Sequence, residues 1–137
     1  MVKTTKKLSV NDWLDMALQV LAESGFEAVA VESLARRLGV TKGSFYWHFK
    51  NIGELIKVLL VFWEGIEEQY IAEYKQSYGE SRVFLKEILK ELISDQTNKR
   101  VFLHLSQHLS DGVIKSAYDR AVMRRLNLFS DAYVRMG

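Results

Sequence analysis

The sequence predicts an all-α fold, and three features carry that prediction. Proline is absent from the 137 residues, where average usage of about 5% would supply roughly seven. The eight glycines fall mostly near the ends of apolar segments, which leaves long stretches with nothing to break a helix. Within those stretches apolar residues recur at intervals of three and four, the period of one helix face. The wider composition, 48% hydrophobic, 26% charged and 12% aromatic, is that of an ordinary globular chain and excludes wholesale disorder. The absence of cysteine removes disulfides, thiolate chemistry and cysteine-ligated zinc, and is compatible with a reducing cytoplasm. The longest apolar run, Val58 to Trp63, is far short of the roughly 18 residues that a membrane span needs. The start also lacks the apolar stretch of a signal peptide. A protein of the cytoplasm with no membrane partner is the expectation.

Val10, Trp13, Leu14, Ala17, Leu18 and Leu21 place a first helix over about 10–24. Ser9 serves as its N-cap with Asp12 three residues on, and Gly25 supplies a left-handed close. Val31, Leu34, Ala35 and Leu38 share one face of a short second helix that Gly39 closes. A third begins at Thr41, whose hydroxyl can cap the amides that follow. Only about three residues separate the second and third helices, the spacing of a helix-turn-helix, in which a small residue such as Ala35 permits close approach and the following helix projects outward. Phe45 and Phe49 anchor that helix inward, leaving Lys42, Ser44, Tyr46 and His48 for its outer surface, while Trp47 is read as packing.

Asn51 with Glu54 three residues on predicts a further cap, opening a long helix to about Gln76 with a stripe of Leu55, Leu59, Phe62, Ile66, Tyr70 and Tyr74. Three more helices follow: one carrying Leu85, Ile88, Leu89, Leu92 and Ile93, a shorter one around Val101 to Leu109, and a last one with Tyr118, Val122, Leu126, Phe129 and Tyr133. No strand hairpin, internal repeat or flexible linker interrupts the chain, so two regions, 1–52 and 53–137, are expected to join through the long helix.

Net charge is only +2, but the charge is sorted along the chain. Asp12, Asp15, Glu23, Glu27 and Glu32 form a stretch without a base, and Arg36, Arg37, Lys42 and Lys50 form one without an acid, with His48 inside it. The opening residues add Lys3, Lys6 and Lys7 in a polar arm able to lie along a phosphate backbone. A helix entering the major groove uses its N-terminal end, so Lys42 is the candidate for guanine acceptors and Ser44 for the next base edge. Gly43 removes the side chain that would hold the backbone away. Thr41 offers a hydroxyl and helix-end amides to phosphate, and Tyr46 and His48 suit phosphate oxygens unless they pack under the long helix.

The run Gly39-Val40-Thr41-Lys42-Gly43-Ser44-Phe45-Tyr46-Trp47-His48-Phe49, with Ala17-Leu18, Gly25-Phe26, Leu34-Ala35 and Leu55, resembles the N-terminal region of the TetR-type transcriptional regulators over about residues 9–60. The resemblance implies a three-helix head followed by a helical-bundle regulatory domain. It also implies a homodimer on a palindromic double-stranded DNA operator, acting as a repressor that a small-molecule effector releases. Against the family pattern, Ala30 stands where a hydroxyl residue commonly opens helix two, Ile52 where a phosphate-binding lysine opens helix four, and Val10 near a frequent arginine. Lys6, Lys7 and Lys50 are close enough to substitute. The last two family helices have no counterpart before Gly137, so the regulatory domain is expected to be reduced or the chain to be a piece. A helical protein-interaction module that has lost operator binding is the competing reading.

In the second region Trp63, Tyr70, Phe84, Phe102, Tyr118 and Phe129 are aromatic enough to line an apolar cavity, although such stripes are more often plain core. His104 and His108 have a spacing that can hold zinc, but no third ligand is identifiable, and no metal or other cofactor is expected. Neither a phosphate-cradling loop nor a nucleophile elbow occurs, so no enzymatic activity is expected.

Overall fold

The computed structural model of the protein describes residues 8–78, 82–83, 86–87, 89–90 and 97–136. The described elements are all helical: α1 (Val10–Ser24), a 3₁₀ turn (Phe26–Ala28), α2 (Val31–Leu38), α3 (Lys42–His48), α4 (Ile52–Tyr78), α5 (Thr97–Ser106) and α6 (Gly112–Met136). They fall into two compact units whose division lies within α4, between Leu59 and Leu60.

The first unit is built around its caps and aromatic anchors. Ser9 and Asp12 form a reciprocal capping box, Asp12 N donating to Ser9 Oγ at 3.3 Å and Ser9 N to Asp12 Oδ2 at 2.8 Å, so α1 starts where its pattern predicts. Gly25 closes it at φ 89°, ψ 177°, a region open essentially only to glycine, rather than in the left-handed helical conformation expected. Gly39 does take the left-handed conformation, at φ 69°, and ends α2. The α2 N-cap, Ala30, makes no side-chain cap; Ser33 instead donates its hydroxyl back to the Ala28 and Ala30 carbonyls at 2.9 and 3.2 Å. Trp13, Leu14, Ala17, Leu21, Phe26, Leu34, Ala35, Phe45, Phe49, Leu55 and Leu59 form the core. Phe45 sits edge-on to Trp13 at 5.4 Å and stacked with Phe49 at 5.3 Å. Burial of aromatic rings at this density, each contributing about 1.5–3 kcal/mol, fixes the seven-residue α3 against α1 and α2. Asn51 Oδ1 accepts from Glu54 N at 2.9 Å and opens α4 as expected.

The second unit departs further from its pattern. The buried face of α4 beyond Leu59 carries Leu60, Trp63, Glu64 and Glu67, while Tyr70, expected in the apolar stripe, is 47% exposed. The two carboxylates are covered because α6 sends three guanidiniums to them. Arg120 holds Glu64 in a two-point contact at 2.8 and 3.1 Å, Arg124 bridges Glu64 and Glu67 at 3.1 and 2.7 Å, and Arg125 reaches Glu67 at 2.8 Å. Arg125 also lies over the Phe102 ring at 4.0 Å. Val101 and Leu105 of α5 are buried, as are Ile114, Ala117, Ala121, Leu128 and Ala132 of α6. Asp111 caps α6 by accepting from Val113 N at 2.9 Å and Ile114 N at 3.1 Å. Helix α5 begins four residues before the expected start at Val101 and ends at Ser106. The helix expected around 85–93 falls for the most part outside the described residues.

Candidate nucleic-acid interface

The short α3 presents two faces. Phe45 is fully buried, while Lys42 and Gly43 in its first turn and Tyr46 one turn later are exposed, with Thr41 just before and Lys50 just after. Lys42 and Tyr46, four apart, share one face, and Tyr46 is 56% exposed. Ser44 and His48 are half-buried. The surface predicted from the sequence is therefore outward, with three changes in detail.

Thr41 is the N-cap of α3, but its hydroxyl makes no capping bond; only its backbone carbonyl takes part, accepting from Ser44 N at 3.2 Å. Trp47, expected to pack, is 73% exposed, because the turn of helix that buries Phe45 and Phe49 carries residue 47 to the opposite side. His48 hydrogen-bonds within the protein: its Nε2 lies 2.9 Å from the Leu8 carbonyl oxygen and donates to it. The bond ties the residue preceding the α1 cap to the end of α3. Lys6 and Lys7 lie outside the described residues.

Gly43 has no internal reason to be glycine. A Cβ there would meet only the Thr41 hydroxyl, at an ordinary 3.7 Å, so the fold itself would accept alanine. What a side chain would obstruct is approach from outside.

The basic stretch also acquires acids. Lys42 Nζ donates to Glu32 Oε1 at 2.5 Å across the turn between α2 and α3, and Arg37 pairs with Glu23 at 3.1 Å. The hydrogen bond to Glu32, and then its charge, raise the Lys42 pKa above the ordinary lysine value; the same contact lowers that of Glu32. Both partners face solvent, so the pair is one of proximity rather than burial. Glu32 is the residue that the linear charge pattern does not bring to the surface of α3, since it closes the acidic stretch instead of opening the basic one.

Residues 14–59 match the sequence profile of bacterial regulatory proteins of the tetR family. This segment, about a third of the chain, is similar to the TetR-type helix-turn-helix head. Among its relatives, the HTH-type transcriptional regulator AcrR of Shigella flexneri is 28% identical over 125 residues, covering 85% of this chain and 56% of that protein. The HTH-type transcriptional regulator TtgR of Pseudomonas putida is 26% identical over 117 residues, 78% of this chain and 54% of its own length. The class D tetracycline repressor protein of Escherichia coli is 34% identical over 55 residues, 40% of this chain and 25% of its own. The chain thus spans about half the length of the first two relatives, and the TetR match to the profile lies within the first unit. No solved structure matches the chain.

Of the six aromatic residues expected as cavity lining or plain core, five lie among the described residues. Trp63 is buried and donates its Nε1–H to Asn98 Oδ1, while Asn98 Nδ2 donates to Glu67 at 3.1 Å. Phe102 and Tyr118 stack on each other at 5.1 Å. Phe129 packs with Ile71 and Tyr74 against Leu128 and Ala132, Tyr70 faces outward, and Phe84 lies outside the described residues. An open depression of about 210 Å³ in this unit is lined by Glu68, Ile71, Lys75, Arg124, Asn127, Leu128 and Asp131, none of them in the expected set. His104 and His108 do not share a helix face, since α5 ends at Ser106; His108 Nδ1 lies 3.1 Å from the His104 carbonyl and donates to it. Among the described residues no cluster of three or more metal-ligating side chains occurs, and no helix is long and apolar enough to cross a membrane.

Proposed function

We propose that the protein is a DNA-binding transcriptional regulator of the cytoplasm. In this reading it is a repressor that docks α3 in the major groove of a palindromic operator as a homodimer and is released by a small-molecule effector. The observation that carries the reading is the outward tip of α3, where exposed Lys42 and Tyr46 flank a glycine that the fold does not require. Lys42 supplies donors for guanine O6 and N7, with Ser44 beside it. Thr41, with a hydroxyl not committed to capping, and Tyr46 and Lys50 serve phosphate oxygens. His48 acts by holding the start of α1 to the end of α3 through Leu8, and Lys6 and Lys7 in the arm add contacts that do not depend on sequence. The homodimer and effector parts rest on the family resemblance.

Selection of bound sequences from a random duplex pool tests this directly. The expected product is a two-fold repeat with half-sites about 34–36 Å apart, one helical turn. Lys42→Ala then weakens the selected site by about 1–3 kcal/mol, or roughly 5- to 150-fold, and relaxes one base position, whereas Lys6→Ala weakens all duplexes alike. A pool with no enrichment, together with a salt-insensitive protein complex indifferent to Lys42→Ala, would instead support the interaction-module reading.

A further inference from the structure

We propose that Glu32 is a selectivity residue: a built-in anionic competitor that occupies Lys42 Nζ in the free head and has to be displaced by DNA. The inference rests on the DNA-binding reading above and adds to it a residue that neither the linear sequence pattern nor the resemblance assigns.

Its ground is the 2.5 Å contact between Lys42 Nζ and Glu32 Oε1, made between two different helices by side chains that are 58% and 73% exposed. An exposed pair of this kind is weak enough for a ligand to open. Opening it nevertheless has a consequence for every duplex, whatever its sequence. Lys42 exchanges one anionic partner for another, and a carboxylate is left beside the phosphate backbone. The net charge that this pair offers to DNA is zero, so the counterion release that a lysine would add to non-specific binding is withheld. A guanine edge presents two acceptors in fixed positions, and a phosphate does not reproduce that geometry. On an arbitrary sequence a phosphate returns too little to displace the carboxylate, and the pair stays closed. At the matching base the guanine contact offsets its opening, so the carboxylate weighs more against arbitrary sequences than against the selected one. Arg37, similarly paired with Glu23, is withdrawn from the same general attraction.

The experiment compares the full chain as wild type, Glu32→Gln, Lys42→Ala and the double variant on two probes, a 20-base-pair duplex of arbitrary sequence and the duplex recovered by selection. Glu27→Gln, at an exposed acid in the 3₁₀ turn of the same unit, controls for net charge. Glu32→Gln is expected to bind the arbitrary duplex about three- to tenfold more tightly near 0.1 M salt. The slope of log affinity against log salt should steepen by about one, and the ratio between selected and arbitrary probes should shrink. In the Lys42→Ala background the same substitution should do no more than Glu27→Gln does. The proposal is overturned if Glu32→Gln leaves the arbitrary-probe affinity within twofold and the slope unchanged, or if its effect equals that of Glu27→Gln, or if it persists undiminished without Lys42. In those cases a wild type that still loses its selected site on Lys42→Ala keeps the DNA-binding reading intact. Failure of both wild type and Glu32→Gln to bind either duplex removes the two together. Circular dichroism melts of each variant establish that the head is folded, since neither side chain is buried.

Discussion

Replacing Glu67 by glutamine changes one atom and should destabilise the protein by about 2–4 kcal/mol. The carboxylate is 5% exposed and accepts from three groups: Arg124 Nη2 at 2.7 Å, Arg125 Nη2 at 2.8 Å and Asn98 Nδ2 at 3.1 Å. Bonds to charged partners are worth about 1.5–3 kcal/mol each, and removing one member of a buried ionic cluster costs about 3–5 kcal/mol because the remaining charge is stranded. Glutamine retains one acceptor oxygen, so it satisfies one side of the cluster. Its amide nitrogen then faces the other side, where donors already wait. That leaves one charge-assisted bond lost and one donor opposed to another, which places the cost toward the lower end of the range for a removed partner. For a chain of this size, where about 1 kcal/mol moves the midpoint by about 3–5 °C, thermal unfolding followed by far-ultraviolet circular dichroism should show a fall in Tm of about 6–20 °C. Glu68→Gln, at an exposed neighbour on the same helix, should stay within about 0.5 kcal/mol. Equal shifts for the two variants, or a loss below about 1 kcal/mol for Glu67→Gln, would show the cluster to be hydrated and refute the reasoning.

Three further outcomes are expected. Burial pushes the Glu64 carboxyl upward, but hydrogen bonds from Arg120 and Arg124 outweigh it and leave the group below its ordinary 4.5. A lowered folded-state value means that the stabilisation is complete above about pH 4.5 and is lost as pH falls through the lower value. The Tm of the wild type should therefore drop more steeply between pH 5 and 3 than that of Glu64→Gln, and parallel curves would contradict the assignment. Gly39→Ala meets no atom within 4 Å but forces a Cβ into φ 69°, so urea titration should register a loss of about 1 kcal/mol from backbone strain alone, with Gly39→Asn losing less. Trp47 is 73% exposed while Trp13 and Trp63 are buried, so Trp47→Phe should remove the red component of the native tryptophan emission; an unchanged spectrum would place residue 47 inside the fold.

Local signals in the sequence translate well where a short-range interaction decides the structure. The Ser9–Asp12 box, the left-handed Gly39 and the Asn51–Glu54 cap each involve partners within a few residues, and each lies where its residue types predict. The faces of α3 follow from Phe45 and Phe49 in the same way; at Trp47 the bulk of the ring suggests packing, whereas its angle on the helix decides for solvent. What the sequence hides is pairing at a distance. Glu64 and Glu67 look like solvent-facing charges until Arg120, Arg124 and Arg125, some 56–60 residues later, cover them. The signal is present as acids three apart on one helix and arginines four and one apart on another, but periodicity alone ranks every charge as outward. The same blindness makes the stretch after Ser33 look purely basic, although Glu32 and Glu23 return to Lys42 and Arg37 in space.

The bond from His48 to Leu8 is made to a main-chain oxygen, and that restricts how mutation can reach it. Any amino acid at position 8 brings the same carbonyl, so inherited change there leaves the fastening in place and is free to drift under other pressures. The imidazole has no such latitude. At its side-chain end the bond that holds Leu8 beside the end of α3 depends on which amino acid is encoded at position 48.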